Sequence, residues 1–126
     1  MAYVDGFVIV IPTKNVPEYK KMAEEGCKTW MKYGALDYKE CIGDDLTPNM
    51  GPEMQDPLTF PKLTNASPDE TVVFSYIVFK SRAHRDEVNA KVMADPAMSP
   101  EAMKDKPMPF DMKRLSYGGF EAIVEA

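Results

Sequence analysis

Ser81, Arg82, His84 and Arg85 fall within five consecutive residues and form the densest group of chemically capable side chains in the chain. Ser81 is placed to cap a helix, which would put His84, the single histidine of the sequence, in the first turn. There the positive helix end and the flanking arginines should disfavour protonation, leaving a neutral imidazole that could act as a base. The same Ser81, Arg82 and Arg85 could hold an anion, because free amides at a helix start and the fork of a guanidinium both favour negative charge. The plainer reading is local. His84 would hydrogen-bond within the capping turn or to the loop around Asp111, and the arginines would pair with Asp86, Glu87 or that loop.

Trp30, Tyr33, Tyr38, Tyr76 and Tyr117 could line an aromatic pocket between helix and sheet, with Asp37 offering a carboxylate. Such residues more often belong to a core with their polar tips at the surface. Asp44 and Asp45 are adjacent carboxylates without further spaced ligands and read as a solvated turn, so no metal is assigned. The 10 methionines read as adaptable packing. No Ser-His-Asp or Cys-His arrangement can be read from spacing, and Gly118-Gly119 lies within a strand pattern instead of before a helix, where a phosphate loop would need it. Cys27 and Cys41 show neither metal spacing nor a CxxC pattern and read as reduced thiols.

With 126 residues, 44% hydrophobic and 28% charged, the chain has the size and balance of one domain spanning 1–126 with a real core. Fifteen Lys and Arg against 20 Asp and Glu leave a net charge of −5, which disfavours nucleic acid as a partner. The first residues carry neither a basic leader nor an apolar run long enough for a membrane span, so a soluble, cytoplasmic protein is expected.

These side chains need elements to hold them. Tyr3 to Ile11 is β-branched and aromatic and stops at Pro12, a first strand with a possible bulge at Asp5-Gly6. Asn15 followed by Glu18 resembles a capping box, and Tyr19, Met22, Ala23, Gly26, Cys27, Trp30 and Met31 then recur at helical spacing until Gly34. Leu36 to Ile42 alternates as a second, largely polar strand. A proline-rich loop at 44–68 follows, in which Leu58-Thr59-Phe60 could add a short edge segment. Val72 to Phe79 is apolar on both faces and reads as a buried strand, and Ser81 opens a helix that Asp95-Pro96 ends near Ala94. Pro100 to Lys106 could form one further turn. Lys113 to Val124 supplies the last strand, with Gly118-Gly119 marking a bulge or a close backbone approach.

The order strand, helix, strand, strand, helix, strand predicts an α+β, ferredoxin-like βαββαβ fold, with two helices on one face of a four-stranded antiparallel sheet. Two helices cover one face only. Yet Val72, Phe74, Tyr76 and Val78 alternate with Val73, Ile77 and Phe79, and Val4, Val8 and Val10 with Phe7, Ile9 and Ile11. At ~1.5–3 kcal/mol per large side chain removed from water, half a dozen such residues would supply ~10 kcal/mol before association costs. Two sheets packed face to face in a homodimer are therefore expected.

Several blocks carry a resemblance: Tyr3-Val4-Asp5-Gly6-Phe7, Trp30 with Gly34-Ala35-Leu36, Asp44-Asp45, Glu70 to Ser75, Ser81 to Asp86, Val88 to Met93, Met108-Pro109-Phe110-Asp111, Lys113-Arg114 and Tyr117 to Phe120. Together they resemble the YbaA-like family of uncharacterised bacterial proteins over nearly the whole chain. The segment from Thr47 to Gln55 is longer and richer in proline than the family pattern. The resemblance implies a dimeric α+β barrel and supplies no activity. Its wider superfamily includes cofactor-independent monooxygenases, small isomerases and heme-handling enzymes, and fold membership does not choose among them. Heme would need an axial ligand, and a lone His84 at a helix start is poorly placed for that, so no cofactor is assigned.

Three functions follow as expectations. The first is a homodimer that binds a small organic molecule between sheet and helices, with Trp30, Tyr76, Ser81, Arg82, Arg85 and Tyr117 as ligand-binding residues. The second is a cofactor-independent enzyme in which His84 takes a proton and an arginine steadies the oxyanion. The third is a structural or interaction module whose interior is filled by methionine and aromatic side chains.

Overall fold

A computed structural model describes residues 1–49, 51–53 and 56–126. The proline-rich loop read at 44–68 includes Met50, Met54 and Gln55, which lie outside the described residues. Strands β1 (Tyr3–Pro12), β2 (Asp37–Ile42), β3 (Glu70–Phe79) and β4 (Leu115–Glu121) form one antiparallel sheet in the order β2-β3-β1-β4. The long helices are α1 (Val16–Lys32) and α3 (Arg82–Ala94), and short helices α2 (Phe60–Thr64) and α4 (Pro100–Met103) lie in the connections.

Alternation along the strands assigns two faces. The inner face carries Tyr3, Asp5, Phe7, Ile9 and Ile11 of β1 and Val73, Ser75, Ile77 and Phe79 of β3. Under α1 it forms one core with Tyr19, Ala23 and Phe110, and beside α3 a second with Val88, Val92 and Ala35, the two meeting at Phe7. Ile11, Phe79 and Val92 have no exposed surface at all. Helix α3 carries few apolar residues, and those facing the sheet, Val88 and Val92, are one turn apart and fully covered.

The outer face is covered only in part. Helix α2 packs on β3 with Phe60 edge-on to Phe74, and Arg114 pins it by pairing with Glu70 while donating to the carbonyls of Thr64 and Asn65. Val10 and Val72 at that end are buried. Further along, Val4, Val8, Tyr76 and Val78 are half-buried, and Phe74 and Phe120 are 47% and 62% exposed. The apolar surface left open is therefore smaller than a count of strand residues suggests, because part of the 44–68 segment folds back as cover.

Several local expectations change. Asn15 does not cap α1 through its side chain: a 3-10 turn at Thr13–Asn15 enters the helix directly, and Asn15 Nδ2 donates instead to the Pro109 carbonyl at 2.9 Å. Leu58-Thr59-Phe60 is not an edge strand. Pro61 suits the first turn of α2, and Asn65 ends it in the left-handed region at φ 56°. Neither Asp5-Gly6 nor Gly118-Gly119 is a bulge, since the pairings Asp5 with Gly119 and Gly6 with Gly118 sit in unbroken register. The close approach is real, however, because the Tyr3 ring lies over Gly119 where a Cβ would collide with it. Strand β4 starts at Leu115, after a 3-10 turn at Met112–Arg114 in which the Asp111 carboxylate accepts the Lys113 N–H at 2.9 Å. It ends at Glu121, opposite Tyr3, with one further backbone bond from the Ala122 N–H to the Ala2 carbonyl at 2.9 Å. Ser81 does cap α3, its Oγ accepting the His84 N–H at 3.1 Å, and α3 ends before Asp95-Pro96 as expected. Gly34, at φ 111°, follows the α1 C-cap.

Candidate functional site

A cavity of about 660 Å³ lies between α1, β2 and the chain from Ala97 to Leu115. Its helix wall is Tyr19, Met22, Ala23, Gly26 and Trp30, and the opposite wall includes Met98, Met103, Met108, Phe110 and Met112. A recess of about 160 Å³ extends from it toward Phe7, Ile9 and Ile77 of the sheet. The volume falls in the range of small-molecule sites. Asp95 helps to set the far wall. It accepts the Tyr33 hydroxyl at 2.6 Å and the Ala97 N–H at 2.8 Å, fastening the end of α1 to the start of the 96–112 segment. Those two donors, with Lys32 beyond them, hold the Asp95 carboxyl below the usual carboxylate range.

Glu40 is the acidic residue on the floor. Alternation in β2 turns Tyr38, Glu40 and Ile42 toward the inner face and Asp37, Lys39 and Cys41 outward. One Glu40 oxygen accepts the Tyr19 hydroxyl at 2.6 Å and the other accepts the Tyr38 hydroxyl at 2.7 Å. Gly26 makes room for this, since a Cβ there would stand 3.0 Å from the Tyr38 hydroxyl. Burial first, then the bond to Glu40, pushes both phenols far up, so both remain proton donors through the neutral range. Among the described residues no cationic nitrogen stands within 4.0 Å of Glu40.

Because their folded-state pKa values are raised, these phenols contribute stability that is complete below the ordinary tyrosine pKa near 10 and is lost as pH rises beyond it. An alkaline phenolate titration by ultraviolet difference spectroscopy should therefore show Tyr19 and Tyr38 ionising only as the chain unfolds. Tyr19→Phe and Tyr38→Phe should each remove one late-titrating group.

A second polar cluster lies across the core. Asp5 sits on the inner face at 1% exposure, and its carboxylate accepts Arg85 Nη1 at 2.6 Å, the Tyr117 hydroxyl at 3.3 Å and Asn89 Nδ2 at 3.5 Å. The Arg85 guanidinium lies 4.9 Å from the Tyr3 ring centre and also donates to Asp86 at 2.8 Å. Asn89 in turn accepts the Trp30 indole N–H at 3.0 Å, linking this cluster to the cavity wall.

The residues singled out in the sequence are thus dispersed. Trp30 and Tyr38 line the cavity. Tyr76 borders the recess but belongs by alternation to the outer face, as does Asp37, which pairs with Lys39 at 2.6 Å. Arg85 and Tyr117 meet at Asp5, Tyr33 meets Asp95, and Arg82 is exposed. His84 Nδ1 accepts the Lys80 N–H at 2.9 Å and its ring packs edge-on against Phe79, outside the cavity lining. Ser81, Arg82 and Arg85 do not converge on one point, because Arg85 turns inward while Ser81 is engaged with the His84 amide. Asp5 and Glu40 were passed over in the sequence. Each was nevertheless visible as an acidic side chain in phase with the covered face of its strand, the one position where a charge requires a partner.

Among the described residues no three His, Cys, Asp or Glu side chains come together as metal ligands, and no helix is long and apolar enough to cross a membrane. The fold and site define an α+β protein with a four-stranded antiparallel sheet and a methionine-rich cavity beneath its first helix. Residues 2–112 match the family described as protein of unknown function (DUF1428), and the chain belongs to that family. It is 37% identical over 125 residues, 99% of each chain, to the uncharacterized protein YbaA of Escherichia coli K12, and equally to that of Shigella flexneri.

Proposed function

We propose that the chain is a single ferredoxin-like domain that pairs with a second copy through its outer sheet face and binds a small, largely apolar organic molecule in the cavity beneath α1. The strand order β2-β3-β1-β4, with both long helices on one face, supports the topology. The partly open patch of Val4, Val8, Phe74, Tyr76, Val78 and Phe120 supports the pairing.

The observation that carries the ligand reading is the cavity of about 660 Å³, walled by methionine and aromatic side chains around one inward carboxylate. Flexible thioethers adapt to varied apolar shapes, and a sparse polar group fixes orientation. In this reading Trp30 touches the guest, Arg85 and Tyr117 act through the neighbouring Asp5 cluster, and Tyr76 belongs to the outer face. Ser81, Arg82 and His84 serve the start of α3.

Trp30 is the single tryptophan and lines the cavity, so its fluorescence reports occupancy directly. Screening small apolar molecules should yield ligands that shift Trp30 emission and raise the melting temperature. At a ligand concentration 100 times Kd the stabilisation should be about 2.7 kcal/mol. Ala97→Phe, at an exposed lining position, should weaken such ligands without loss of folding. A broad screen in which no compound moves either signal would remove the ligand reading.

A further inference from the structure

We infer that the guest of this cavity is a lipophilic ammonium, an organic cation whose charge meets Glu40 and whose apolar body lies against the Trp30, Met22 and Phe110 side chains. This rests on the cavity reading above and adds the chemical class of the ligand.

The charges of the lining argue for it. Glu18, Lys21, Glu25 and Lys106 also border the cavity, but all four are exposed and their signs cancel. Glu40 alone is drawn inward, on a half-buried strand position. Each of its oxygens is engaged by one phenol O–H, Tyr19 at 2.6 Å and Tyr38 at 2.7 Å. Two neutral donors spread the negative charge without neutralising it, and within 4.0 Å no cationic nitrogen among the described residues does so. A carboxylate held in apolar surroundings without an ion partner attracts a desolvated cation more strongly than one in water does.

The rings add to the same preference. Trp30 and Tyr38 stand 6.4 Å apart at a 42° tilt, and Tyr19 meets Phe110 edge-on at 5.8 Å. Their electron-rich faces attract ammonium groups, tryptophan most of all. An anionic guest would meet Glu40 with like charge. A neutral alcohol could donate one hydrogen bond there but would leave the charge unmatched.

The test compares two probes of nearly equal shape, 4-phenylbutylamine and 4-phenyl-1-butanol, titrated against Trp30 fluorescence and by calorimetry at neutral pH. The wild-type protein should bind the amine at least tenfold more tightly than the alcohol. Glu40→Gln should abolish that preference, bringing the two probes to within about threefold of each other. Tyr38→Phe, which keeps the charge and removes one phenol, should retain it. Equal affinity of the wild-type protein for the two probes would overturn the ammonium assignment and leave the cavity reading standing. Failure of both probes to perturb Trp30 would count against the cavity reading itself. The wild-type comparison decides the matter even where the Glu40 variant does not fold.

Discussion

Arg85→Ala should destabilise the fold by about 3–5 kcal/mol, because it leaves the Asp5 carboxylate buried without its cation. Asp5 and Arg85 have side-chain exposures of 2% and 13%, so the carboxylate is covered by the fold and depends on the guanidinium for its charge partner. The Tyr117 hydroxyl and Asn89 amide remain as donors, but their longer contacts of 3.3 and 3.5 Å do not neutralise a charge. Against a total stability of ~5–15 kcal/mol, a loss of that size brings the chain close to unfolding at room temperature. Urea denaturation at fixed protein concentration measures it. The double variant Asp5→Asn with Arg85→Met should recover much of the loss, since no charge is then buried alone. A single-variant loss below about 1 kcal/mol would mean that the pair is already solvated.

Phe120→Asp should abolish the proposed pairing of two copies and leave monomers. The ring is 62% exposed on the single chain and lies over Gly6 and Gly118, so replacing it disturbs the isolated chain little. In a two-fold assembly each substitution acts twice. At ~1.5–3 kcal/mol per buried ring, roughly 3–6 kcal/mol of association energy is removed, on the order of 10²- to 10⁴-fold in Kd. Sedimentation velocity at micromolar concentration should show the wild type at twice the monomer mass and the variant at the monomer mass. Identical sedimentation of the two would place the partner elsewhere or dismiss it.

Much of the scaffold was legible because it depends on local rules. The apolar run Val72 to Phe79, the Ser81 cap, the helix stop at Asp95-Pro96 and the α1 stripe from Tyr19 to Trp30 each follow from periodicity or a steric limit that neighbouring residues impose. Where a tertiary contact competed with a local signal, the local reading failed. Asn15 could cap its own helix or reach a distant carbonyl, and the second outcome depends on Pro109 being brought near by the fold. Leu58-Thr59-Phe60 could extend an edge or enter a helix, and a helix places Phe60 on Phe74.

What the sequence by itself determined is the four strands, the two long helices and the two-faced apolar character of the sheet, since backbone sterics and a two-residue side-chain period act over short stretches. Only the tertiary structure decided which charges are enclosed. Asp5 and Arg85 are 80 residues apart, and Tyr19 and Glu40 are 21 apart, so no spacing rule joins them. Their meeting depends on how α1 and α3 settle across β1, β2 and β3. That same settling separates His84 from the cavity and puts Glu40 into it, because a side chain's surroundings are set by the element packed opposite as much as by its own.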